Sequence, residues 1–285
     1  SGYCVIAKMC RFYVQCSICF GVFFIIFPLP IKCDKNDSKA NIRDSDKITN
    51  SETVANPNMQ AFLRTHGIYT SVSEILYFLR NSNLSKEKCV QTILRRYEGT
   101  CMKRGHIFQL DDPSKRHPFI AIEGLIGTKR HTISKRVAYL LHARHARFPL
   151  RHMCGNHILP RSFDGRRAYY SLSKYAGSNV VPDVVSRTPF IVERYWLDQA
   201  MYSLAKTFTN GTLPPSNTEF YKYPADIVVP DLTFFINIDS DGNSRSSASL
   251  FNQRELECFR RVTPPVIEYS SNLGTDEIVN NIINH

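Results

Sequence analysis

The pattern of apolar and polar positions changes three times along this chain. Residues 18–27, ICFGVFFIIF, form a solid apolar block behind Lys8 and Arg11, and Pro28 and Pro30 follow it. Cations, a short apolar core and helix breakers are the layout of a signal peptide. A membrane span needs about twenty apolar residues, more than this block supplies. Residues 1–33 are therefore expected to form a hydrophobic leader, signal-like or a short anchor. Residues 34–58 are polar, with few large apolar side chains. Such a stretch cannot bury enough surface to offset the entropy of ordering, so it reads as a flexible linker.

Periodicity begins near Met59. Ser71 and Glu74 stand at capping-box spacing ahead of Ile75, Leu76, Phe78 and Leu79, which predicts a helix. Ser85 is expected to cap a second helix through about Tyr97, with Val90, Ile93 and Leu94 as its apolar face. Residues 59–117 thus read as a small helical N-terminal extension. Past Pro118, apolar runs alternate with helical stripes. FIAIEG (119–124) is a strand that stops at a glycine, and TISKRVAYLLHARH (132–145) is a helix. PFIVERYW (189–196) is a strand with a helix after it in LDQAMYSLAKTF. DLTFFINI (231–238) and PVIEY (265–269) are further strands, and TDEIVNNII (275–283) is a closing amphipathic helix. This alternation predicts an α/β fold over 118–285, a parallel sheet flanked by helices. Ligands of such sheets gather at the carboxyl ends of the strands. Gly124 and the pair Glu193–Arg194 fall on that edge.

Charge sharpens the picture. The chain carries a net charge of +11, and residues 101–167 alone hold fourteen Lys and Arg against four Asp and Glu. A field of this kind favours polyanions: nucleotide phosphates, nucleic acid or a lipid surface. The nine cysteines show no paired framework, since five fall in the first 33 residues and the rest are scattered. Cys16 and Cys19 lack a second ligand pair, and His152, Cys154 and His157 lack a convincing fourth ligand, so neither group predicts a metal site.

The basic region contains EGLIGTKRHTIS, residues 123–134, between a strand and a helix. A phosphate-binding loop has this placement. It needs a first glycine for its turn, a second for close backbone approach, then a lysine for the terminal phosphates and a hydroxyl for Mg²⁺. Gly124 supplies the first. Lys129, Arg130 and His131 occupy the other three positions, and Thr132 supplies a hydroxyl one place late.

The segments FIAIEGLIGT, RRAYYSLSKY (166–175), PFIVERYW, YKYP (221–224) and VVPDLTFFI (228–236) follow one another at suitable spacing. Together they resemble the thymidylate kinase family of P-loop nucleoside monophosphate kinases, and within it the mitochondrial UMP–CMP kinase 2 branch. The likeness covers about 118–285. It implies a P-loop NTPase-like parallel sheet that phosphorylates a pyrimidine nucleoside monophosphate with ATP and Mg²⁺. Gly124, Gly127, Thr128, Lys129, Arg130 and Thr132 would face the ATP phosphates. Glu193, where the family has aspartate, would help to organise Mg²⁺ with Thr132, Arg130 and Arg194 would serve the transfer, and Arg194 and Tyr169 would hold the acceptor, Tyr169 by stacking on the pyrimidine.

The departures from the family pattern all fall on the transfer machinery. Lys129 puts a side chain where backbone must close on phosphate, Arg130 is a planar fork instead of a point donor, and His131 removes the direct Mg²⁺ hydroxyl. Ile126 replaces an acidic residue, and the stretch holding Arg245 and Arg254 shows no clear lid pattern. The resemblance thus leads to a kinase homologue with weak or lost catalysis. Two other readings stay open: a working kinase using Arg130 and Thr132, and a non-catalytic basic module that binds nucleic acid, membrane or a protein partner. A homodimer is a further possible assembly. The family implies a mitochondrial location, whereas the leader implies a secretory or membrane-anchored one.

Overall fold

Strand Phe119–Gly124 (β1) is the middle of a sheet in which all neighbours run parallel. The computed structural model describes residues 57–100, 110–125, 129–150, 153, 160, 162–209, 211–237, 247–270 and 272–285. Among these, Arg144–Arg147 (β2), Phe190–Glu193 (β3), Leu232–Asn237 (β4) and Ile267–Ser270 (β5) complete the sheet in the order β2-β3-β1-β4-β5. The α/β fold with its helix-flanked parallel sheet stands as the sequence predicted. The leader and nearly all of the linker lie outside the described residues.

Strand parity builds two cores. In β1 and β3, Phe119, Ala121, Phe190 and Val192 face one side, while Ile120, Ile122 and Ile191 face the other. The second side is covered by Arg130–Leu140 (α4) and Thr275–Asn284 (α9), through Ile133, Val137, Ile278 and Ile282. The first is covered by Phe163–Ser178 (α5), Trp196–Thr207 (α7) and Ser247–Arg260 (α8). Each large side chain taken fully out of water contributes about 1.5–3 kcal/mol.

Three N-terminal helices, Pro57–Thr65 (α1), Val72–Asn81 (α2) and Lys88–Thr100 (α3), share that first core through Leu63, Ile75, Leu79, Ile93 and Tyr97. They belong to one compact unit with the sheet, Thr53–His285. Ser71 caps α2 by accepting from the Glu74 amide at 3.2 Å. Glu74 turns its carboxylate to the Thr70 amide at 3.0 Å, so the capping box is shifted by one residue. Asp226 also accepts from the Val72 amide at 2.7 Å, fastening the start of α2 to a distant loop.

Two boundaries depart from expectation. Ser85 does not cap α3: it lies in a 3-10 turn over Asn83–Lys86 that Ser82 caps, and α3 starts at Lys88. The helix expected over 132–145 ends at Leu140, and His142 turns the chain at φ 50°. Residues 144–147 then pair with β3, Arg144 opposite Phe190 and Arg147 opposite Glu193. The polar run RHAR is an edge strand, so the edge pairing overrides helical continuation. A short helix, Val181–Val185 (α6), leads into β3. No described helix is long and apolar enough to cross a membrane.

Candidate functional site

The chain leaves β1 toward α4 on one face of the sheet and leaves β3 toward α7 on the other, which opens a crevice between the two strand ends. Ligands of open parallel sheets sit at such reversals. Gly124 ends β1 and Glu193 ends β3, with Ile122 opposite Glu193, so the predicted pair shares the carboxyl edge.

Parity sends their neighbouring carboxylates apart. Glu193 follows Ile191 toward α4, where it is fully engaged. His131 Nδ1 lies 2.8 Å from Oε1, Ser134 Oγ donates to Oε2 at 3.0 Å, and Arg147 Nε lies 3.3 Å from Oε1. His145 Nε2 continues the network to Ser134 Oγ at 3.1 Å, and burial holds the His145 imidazole below its ordinary pKa. Thr132 is exposed on α4, and Ser134, two residues on, supplies the hydroxyl beside Glu193.

Glu123 points the other way, toward the predicted Arg130 and Arg194 and toward Lys174 and Asp198, which the sequence did not single out. It is fully buried, and among the described residues neither carboxylate oxygen has a hydrogen-bond partner. Burial, and then the charge of Asp198, push its carboxyl up to about 7 against the pull of Arg130, Lys174 and Arg194. Lys174 of α5 is 2% exposed, and its Nζ donates to the Arg194 carbonyl and lies 5.4 Å from the Phe148 ring centroid. Burial lowers the Lys174 ammonium to about 8. Asp198, in the first turn of α7, gathers Arg194 Nε at 3.3 Å and Arg130 Nη1 at 3.6 Å. Arg130 also donates to the Gly124 carbonyl. Glu255 of α8 joins from the far side, buried and pushed up to about 8 by burial and then by Asp198. Arg194 holds the corner with φ 62°, a conformation rare outside glycine that turns its carbonyl toward Lys174.

The remaining predicted residues divide. Gly127, Thr128, Ile126 and Arg245 lie outside the described residues, as do His152, Cys154 and His157. Lys129 is exposed and precedes α4 without a side-chain cap. Arg254 donates to the Gly211 carbonyl at 2.9 Å. Tyr169 is a core aromatic, 3% exposed, and its hydroxyl donates to the Met153 carbonyl at 2.7 Å. Stacking on a base requires its packing to open.

The Mg²⁺ assignment does not suit the donors present. Both Glu193 oxygens already serve His131, Ser134 and Arg147, and a divalent cation there would sit against a guanidinium. Among the described residues, no three His, Cys, Asp or Glu form a metal-holding group. What the crevice offers chemically is three cations, Arg130, Lys174 and Arg194, set among three carboxylates, Glu123, Asp198 and Glu255. Two of those carboxyls are raised toward neutrality, so near pH 7 the balance favours binding an anion.

No family model matches this chain, and no curated protein gives a significant match.

Proposed function

We propose that this protein is a homologue of the pyrimidine nucleoside monophosphate kinases, with an anion-binding crevice and impaired phosphoryl transfer. The observation that carries the reading is the convergence of Arg130, Lys174, Arg194 and Asp198 at the reversal between β1 and β3. Phosphoryl transfer is mostly positioning and charge stabilisation, and this is the place and the charge type it needs. The order β2-β3-β1-β4-β5 and the ordered sequence segments agree with it.

The impairment rests on occupancy. Arg130 is bound to the Gly124 carbonyl and to Asp198, and Glu193 is bound by His131, Ser134 and Arg147. Groups that would have to serve ATP and a metal are thus turned on each other. Two cations also stand at the start of α4, where the helix dipole disfavours positive charge unless an anion lies between.

The test is titration calorimetry with UMP, CMP, dUMP and dTMP, alongside ADP release with Mg-ATP. Saturable binding of a monophosphate with slow or absent turnover supports the reading. Robust turnover points instead to a working kinase that uses Arg130 and Thr132, and binding of no nucleotide points to a basic binding module.

A further inference from the structure

We propose that Lys174 of α5 is the phosphate-directed ammonium of this crevice. The proposal rests on the monophosphate-binding reading above and assigns it a residue.

Three observations carry it. The guanidiniums are committed: Arg194 to Asp198, and Arg130 to Asp198 and the Gly124 carbonyl. An ammonium has three donors, and Lys174 gives one to the Arg194 carbonyl. Lys174 also borders a small recess of about 10 Å³, formed with Gly67, Tyr69, Ser171, Trp196 and Gln199. Finally, Glu123 is fully buried, with both oxygens unpartnered among the described residues, on the side of the sheet that α5 covers. A carboxylate left this way is costly, and the cations that act on it are Arg130, Lys174 and Arg194, in that order. The other charges facing Lys174 are Asp198 of α7, Arg194 of the β3–α7 turn and Arg130 of α4.

A phosphate oxygen that reaches Nζ would take a charge-assisted hydrogen bond from it. Such bonds are worth about 1.5–3 kcal/mol, about a ten- to hundred-fold change in affinity. The experiment is calorimetry on the full chain with UMP, CMP and inorganic phosphate, for wild type, Lys174→Met, Glu123→Gln and the double variant, with melting curves for each. Lys174→Met should weaken UMP binding by about ten-fold or more. Wild-type affinity should also fall as pH rises through about 8, where Lys174 loses its proton, while the ligand stays dianionic. That limb should be shallower in Lys174→Met, which keeps only the part due to ionisation of Glu123 and Glu255.

The double variant removes both buried charges and so guards against misfolding. It should also bind weakly. Equal affinity in wild type and in a folded Lys174→Met or double variant overturns the assignment of Lys174 alone. Lowered melting temperature with unchanged affinity and an unchanged pH limb does the same, by making Lys174 structural. Failure of the wild type to bind any of the three probes overturns the monophosphate reading and this proposal together.

Discussion

A carboxylate at the end of a buried strand must leave it on one face or the other, and Glu123 and Glu193 leave on opposite faces. For Glu193 the outcome is neutralisation by neighbours on α4 and β2. For Glu123 the outcome is burial without a hydrogen bond among the described residues. Its proton is therefore retained to about pH 7 in the folded chain, against about 4.5 unfolded. Between those values the folded state binds the extra proton, so stability falls as pH rises through the window. Glu123→Gln should remove that slope. Urea melts should find the variant and wild type equal near pH 4 and the variant more stable at pH 7.5. A variant that is less stable at pH 7.5 would mean that Arg130, Lys174 and Arg194 outweigh burial. A second residue prediction concerns Gly67, at φ 69°, where an added Cβ would strike Arg167 Cδ. Gly67→Ala combines that clash with a backbone penalty and should cost more than about 1 kcal/mol in the same melts.

At the scale of elements, the amino ends of β1 and β4 are tied by one carboxylate. Asp231 takes two bonds from Arg116, at 2.6 and 2.7 Å, and one from the Phe119 amide at 2.7 Å. Burial raises its carboxyl, but these donors outweigh that and hold it below the ordinary range. The stability it gives is present above the unfolded value of about 4 and is lost as pH falls through the folded one. Asp231→Ala should cost about 1–2 kcal/mol at pH 7 after solvent screening, with the difference from wild type shrinking on acidification below about 4.

The same scale explains what the sequence could reveal. FIAIEG and DLTFFINI are apolar throughout because both faces of the sheet are covered, and their strands are legible. RHAR pairs on one side only and keeps three polar residues, so β2 reads as the tail of a helix. Helix α5 is buried on nearly every side, which erases the amphipathic stripe and hides Lys174. A lysine within a helix so rich in small and aromatic residues was the available signal. Asp198 was legible only as a helix-start acid, and Glu255 only through its distant contacts.

For the whole molecule, the question is whether a crevice whose charged groups are paired with one another can transfer a phosphoryl group. On the proposed kinase reading, Lys129, Arg130 and His131 would face the same phosphates, so their effects should be coupled, not additive. Arg130→Lys alone should gain little, since Lys129 still obstructs backbone approach. In Lys129→Gly/Arg130→Lys/His131→Thr the loop regains a glycine, a lysine and a hydroxyl. The third change also takes His131 away from Glu193, releasing Oε1 from its 2.8 Å contact while Ser134 and Arg147 remain. The second frees Asp198 from one of its two arginines. Electrostatic groups aimed at a transition state are commonly worth about 10²–10³ in rate each. The triple variant should therefore exceed wild type by at least about 10² in ADP release with UMP, CMP, dUMP or dTMP as acceptor. Wild type, in turn, should bind its preferred monophosphate more tightly than Mg-ATP, because Tyr169 and Arg194 fall in segments closer to the family pattern than the loop does. Tighter binding of ATP than of every monophosphate would reverse that ordering. A folded triple variant with no turnover would place the missing function beyond the loop, in the arginines that a lid would bring.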